Sequence, residues 1–241
     1  MLLMTLMLSV AVVGDTTWDG RGVLQSMHDR YAATWYGALA SVRSVTYFDS
    51  LGGLDHVEIW YESLSLPSTL RSDMAPLDRG RGELFRGDSV FRFEGDTVVQ
   101  RQAGIHAVLL LGFGVYRQPV AATAEKLERF GFDLDSVAAD TWEERPVWVV
   151  GRMGGPRFWV DGEQWLLRRL EMPGDPEGPG LEIRFSGYET VAGGWLATES
   201  VFLTNGVTRI REREVWWEAG VSFDARVFAT VDRARPAWIR D

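Results

Sequence analysis

The chain has 241 residues, 46% of them hydrophobic and 24% charged. These are the proportions of a globular protein with chain enough for one large domain, and they rule out a wholly disordered, collagenous or coiled-coil chain. Its 25 basic and 34 acidic residues give a net charge of −9, which argues against nucleic acid and against docking on an anionic membrane face. With no cysteine, disulfides, thiolate metal sites, cysteine nucleophiles and a lipid-acceptor cysteine are all absent. The excess is aromatic: 11 Trp, 12 Phe and 6 Tyr. Such side chains on strands suggest a thick core or an apolar cavity.

Residues 1–13, MLLMTLMLSVAVV, are too short to cross a ~30 Å hydrocarbon core. They match the apolar region of a secretory signal, although no Lys or Arg precedes them. Val12 and Gly14 are small enough for the −3 and −1 positions of a cleavage site. Residues 1–14 are therefore predicted to be a signal peptide that exports the chain. Residues 15–241 are predicted to fold as one domain.

Leu24, Met27, Tyr31, Trp35, Ala38 and Val42 recur at 3–4 spacing and predict an amphipathic helix over 22–42. From Arg43 the period falls to two. Val57, Ile59 and Tyr61 alternate with His56, Glu58, Trp60 and Glu62. Short strands follow at 70–74, 83–86, 90–94 and 98–102, punctuated by Gly52-Gly53, Gly87-Asp88 and Gly95-Asp96. Turn signals at this spacing predict an antiparallel meander.

Residues 105–116, IHAVLLLGFGVY, break the pattern. Pro119 then opens a helix, with Gly131 just past its end. Residues 105–131 are predicted to be a helical insertion. Five or six strands follow, at 147–150, 158–160, 165–170, 181–186, 195–203 and 207–215. In the last, Arg209, Arg211 and Arg213 share one face and Ile210, Glu212 and Glu214 the other. The arginine ladder predicts a solvated face beside an acidic strand. Residues 173–180, PGDPEGPG, predict a surface loop. The fold class is mainly β: a curved antiparallel sheet forming an incomplete barrel wrapped around helices.

The motifs of catalysis do not assemble. His28, His56 and His106 are scattered, with no helical histidine pair for zinc. Gly87-Asp88-Ser89 resembles the start of an esterase signature, but no histidine follows His106. Residues 133–144 carry carboxylates at positions 1, 3 and 12 of a calcium loop, yet have Ala138 where glycine is required. No catalytic residue, metal or cofactor is predicted, and the chain is read as not an enzyme.

Two stretches resemble the LolA-type family of periplasmic lipoprotein carriers. The first is residues 60–93, where Pro67, Leu70, Arg71, Gly87, Asp88 and Phe91 fit the family passage. The second is residues 145–194: Pro146-Val147-Trp148-Val149, Phe158-Trp159-Val160-Asp161, Phe185-Ser186-Gly187-Tyr188, and the Gly193-Gly194 turn. The proline usual after that turn is replaced by Leu196-Ala197-Thr198. The resemblance implies a LolA-like half-barrel that holds the acyl chain of a lipoprotein or lipid between the sheet and mobile lid helices. The lid would be residues 105–130. It further implies a monomer exchanging cargo with an inner-membrane donor and an outer-membrane acceptor. The competing reading is an envelope sensor or scaffold that docks another protein. The expected cavity wall is Trp60, Phe91, Phe93, Leu110, Phe113, Trp148, Phe158, Trp165 and Phe185, with Gly112 and Gly114 as hinges of the lid.

Overall fold

The computed structural model describes residues 18–174 and 179–240. The predicted signal peptide and residues 175–178 of the 173–180 loop lie outside the described residues. The chain opens with α1 (Gly20–Tyr31), followed by six strands: β1 (Ala38–Phe48), β2 (Leu54–Ser65), β3 (Thr69–Met74), β4 (Gly82–Arg86), β5 (Ser89–Glu94) and β6 (Thr97–Ala103). The helices α2 (Ala107–Gly112) and α3 (Val120–Arg129) come next. Seven strands complete the chain: β7 (Val137–Trp142), β8 (Arg145–Val150), β9 (Arg157–Asp161), β10 (Leu167–Met172), β11 (Leu181–Val191), β12 (Gly194–Thr204) and β13 (Val207–Ala219).

All thirteen strands form one antiparallel sheet, ordered β6-β5-β4-β3-β2-β1-β13-β12-β11-β10-β9-β8-β7. Each half is a meander, and the halves join in the middle where β1 pairs with β13. The two open edges, β6 and β7, are consecutive in the chain, and α2 and α3 lie between them. The insertion must therefore pass from one edge of the sheet to the other. It does so across the face that also receives α1, so the topology itself places helices over that face.

The first helix is shorter than its stripe. Asp19 caps it by accepting from the Gly22 N–H, and Val23, Leu24, Met27 and Tyr31 bury its inner face. It stops at Tyr31, and Ala38 and Val42 fall in β1 instead. Sheet pairing on both sides of β1 outweighs the helical periodicity, because a central strand satisfies two ladders of backbone groups. Trp35 and Tyr36 in the connector remain buried. Gly193 and Gly194 leave room for this connector: a Cβ on Gly193 would lie 2.5 Å from the Thr34 carbonyl oxygen, and one on Gly194 would lie 2.8 Å from the Trp35 ring.

The acidic 133–144 segment forms a local turn at its start and then a strand. Asp133 accepts from the Asp135 N–H and the Ser136 hydroxyl, and the rest becomes the exposed edge strand β7. Gly87-Asp88 forms the β4–β5 hairpin turn, where Asp88 binds Arg129 and Lys126 of α3. Beyond β13, where the sequence suggested no element, the chain packs back over the outer face of β2 and β3. Arg71 of β3 donates to the carbonyls of Val227 and Ala234. Trp238 donates to the Ser63 hydroxyl and stacks on Trp216.

Candidate functional site

Between the inner face of the sheet and α2 lies a cavity of about 250 Å³. Its apolar part is built by Leu39, Leu64 and Leu70 from β1–β3, Phe185 and Leu196 from β11–β12, and Val108, Leu109 and Phe113 from the insertion. Its polar part comes from the central strands. Arg43 on β1, Glu62 on β2 and Glu212 on β13 all reach the wall.

These residues meet because β1 pairs with both neighbours. In register, Ser41 faces Glu62, and Arg43 faces Glu214. The Arg43 guanidinium lies 2.9 Å from Glu62, 2.6 Å from Glu212 and 2.6 Å from Glu214. Ser72 donates to the second oxygen of Glu62. The Glu214 Oε2 atom and the Arg43 Nε atom are buried without a hydrogen-bond partner among the described residues. Burial pushes the Glu214 carboxyl up to about 7, against the opposing pull of Arg43. Glu212 is raised for the same reason, with the charge of Glu62 adding to the effect. Burial alone would lower the Arg43 pKa, but the three carboxylates outweigh it and hold the guanidinium charged.

His106 lies on the same wall. Its Nδ1 caps α2 by accepting from the Leu109 N–H, and its ring meets Phe85 edge-on. Burial, followed by the charge of Arg43, pushes it down to about 4, so it is neutral at physiological pH.

Of the nine expected wall residues, Trp60, Phe113 and Phe185 line the cavity. The other six lie elsewhere. Phe91 and Phe93 point to the opposite face: they pair with Leu84 and Gly82 and form a separate cluster with Leu84, where Arg86 and Arg101 lie over the Phe91 ring and Arg233 over Phe93. A one-residue difference in register decides the face of a strand residue. Leu110 is buried in the main core, one position off the cavity side of α2. Phe158 packs on Phe132 beneath α3. Trp148 and Trp165 stack on either side of Trp18.

The two glycines expected as hinges differ in what surrounds them. A Cβ on Gly114 would lie 2.7 Å from the Pro67 carbonyl oxygen, so that glycine permits close packing. The nearest atom to one on Gly112 is 3.9 Å away. Beyond Gly114 the insertion is anchored: Tyr116 is fully buried, stacks on Trp35 at 3.9 Å and donates to the Trp165 carbonyl.

Sequence reasoning missed the Arg43–Glu62–Glu212–Glu214 cluster. The solvated ladder it expected is the outer face of β13, where Arg211 and Arg213 approach Glu199. The glutamates on the other side of that strand are buried. A signal was present: the Glu62 face of β2 also carries Trp60 and Leu64, a mixture unusual for a wet surface.

No family model and no curated protein matches the chain. Solved structures do. An outer membrane lipoprotein-sorting protein domain from Vibrio parahaemolyticus superposes with a TM-score of 0.60 at 11% identity, over 87% of this chain and 95% of that one. The fold is LolA-like. A LolA superfamily protein from Nitrosomonas europaea matches at 0.57 and 9% identity, over 86% and 97%. A DUF1329 family protein from Desulfovibrio piger matches at 0.58 and 12%, over 87% and 95%. In this LolA-like frame the cavity sits between the inner face of the sheet and the helices that bridge its two edges.

Proposed function

We propose that the protein is a non-catalytic periplasmic carrier or binder of acylated molecules, which takes an acyl chain into the cavity between the sheet and α2. Residues 1–14 export it, and an inner-membrane donor and an outer-membrane acceptor exchange cargo with it. The observation that carries this reading is the apolar wall contributed jointly by the sheet and the insertion. Its likeness to a lipoprotein-sorting domain supports it.

The volume sets a scale. Benzene fills an engineered cavity of about 150 Å³, or about 25 Å³ per carbon, so the present cavity takes about ten chain carbons. At ~0.8 kcal/mol per buried methylene, that is on the order of 8 kcal/mol gross, before ordering costs. A 16-carbon chain needs more room. In this reading Val108, Leu109 and Phe113 are the wall that moves to admit it, with Gly112 as the hinge and buried Tyr116 holding the far end.

Organic extraction of protein purified from the periplasm, followed by mass spectrometry, tests this. Stoichiometric acyl chains are expected. Protein free of lipid that instead holds a stable protein partner would replace the carrier with a sensor or scaffold. Amides of 105–113 should exchange more slowly once a chain is bound.

A further inference from the structure

The cavity is not uniformly apolar, and its polar part is unbalanced. Three carboxylates surround one guanidinium: Glu62, Glu212 and Glu214 around Arg43. Fully ionised, the group carries two negative charges in excess. If Glu214 keeps its proton, one remains. Other groups on the wall do not correct this. Glu83 is matched by Arg92 at 2.7 Å. His106 is neutral at physiological pH, and Ser41, Ser72 and Ser200 are uncharged.

Excess buried charge is costly unless something pairs with it. Among the described residues one carboxylate oxygen, Glu214 Oε2, has no hydrogen-bond partner, and its side chain is only 4% exposed. Glu62 on β2 and Glu212 and Ile210 on β13 line the cavity, while Glu214 does not and adds its charge through Arg43. The apolar walls of Leu64, Leu109, Phe113 and Phe185 continue from this charged floor within one cavity. A fitting occupant has a hydrocarbon part and a head that brings positive charge and N–H donors.

Resting on the acyl-chain reading above, we propose that this cavity selects amphiphiles with an ammonium head, seating the head against Glu62 and Glu212 and the chain beneath α2. An ammonium supplies the missing charge and N–H donors to the carboxylates on the wall, and charge-assisted hydrogen bonds of this kind are the stronger class. A carboxylate head would add a fourth negative group for one arginine to neutralise.

The test uses three ten-carbon probes on delipidated protein at pH 7.5: decylamine, decanol and decanoate. Each displaces an uncharged fluorescent naphthylamine from the cavity, below its micellar concentration. Decylamine is expected to bind at least tenfold more tightly than decanol, with decanoate weakest. In a Glu212→Gln/Glu214→Gln variant, shown to be folded by circular dichroism, the ratio of decylamine to decanol affinity should fall to about one. Equal binding of all three probes by the wild-type protein, or tightest binding of decanoate, overturns the head-group proposal and leaves the chain cavity standing. If none of the three displaces the fluorophore, the chain reading fails, and this proposal with it.

Discussion

Two buried arginines lie on opposite faces of the same sheet, and their surroundings differ in balance. Arg71, on the outer face, has one carboxylate, Asp73 at 2.8 Å, and two backbone carbonyls from the C-terminal segment. The guanidinium meets one carboxylate, and its Nη1 donates to the two neutral carbonyls. Arg43, on the inner face, meets three carboxylates and has no backbone partner. The first arrangement is a clamp, closed by the chain that covers it. The second opens on a cavity and retains an unmet charge. A buried arginine therefore marks structure or site according to the sum of charge around it.

The largest expected effects come from removing each arginine. Arg43→Met and Arg71→Met should each destabilise by about 3–5 kcal/mol, because each leaves buried carboxylate without its cation. They should differ in rescue. Adding Glu212→Gln and Glu214→Gln should restore much of the stability of Arg43→Met and none of that of Arg71→Met. Urea midpoints of the four proteins check this, and equal rescue would erase the distinction between the two faces.

Next come the aromatic rings. Phe93→Ala, in the outer cluster, should cost about 3 kcal/mol and leave the preferred chain length of bound probes unchanged. Phe185→Ala should extend that preference by several carbons, since it enlarges the cavity itself. Displacement assays with alcohols of eight to sixteen carbons read the difference.

The pH dependence sharpens the inner site further. The Glu214 carboxyl, raised from its ordinary value of 4.5 to about 7, binds a proton in the folded state that the unfolded chain releases. Its contribution is thus fully present below about 4.5 and is lost as pH rises towards 7. His106, lowered to about 4, works oppositely: its contribution is present above about 6.5 and is lost as pH falls through 4. Arg43, Glu62 and Glu212 face both groups. Melting temperatures from pH 5 to 8 should fall less steeply with pH in Glu214→Gln than in the wild-type protein. Parallel curves would show that Glu214 titrates normally. The smallest effect belongs to the exposed outer pair: Glu199→Gln, beside Arg211 and Arg213, should cost less than ~1 kcal/mol, and that cost should vanish in high salt.

Much of this architecture was legible in the residues. Alternation and turn chemistry located eleven or twelve of the strands, and the break at residue 105 located the insertion. Gly87-Asp88 specified a hairpin. Legibility failed where two periods competed, as when the helical stripe ran past Tyr31 into β1. It failed again where the face had to be chosen. Phe91 and Phe93 have the hydrophobicity of a cavity wall but stand on the other side of the sheet.

By itself, then, the sequence determined the strand-rich class, the place of the helices in the chain, and the aromatic supply of the core. These follow from local periodicity and turn geometry, which act over a few residues. Only the tertiary structure decided that β1 pairs with β13, and so that Arg43, Glu62, Glu212 and Glu214 meet. The physical reason is that charge balance at a buried site is a sum over strands distant in sequence. No single segment carries that sum: Glu212 and Glu214 alternate with arginines as any wet strand would, until the sheet turns one side of them inward.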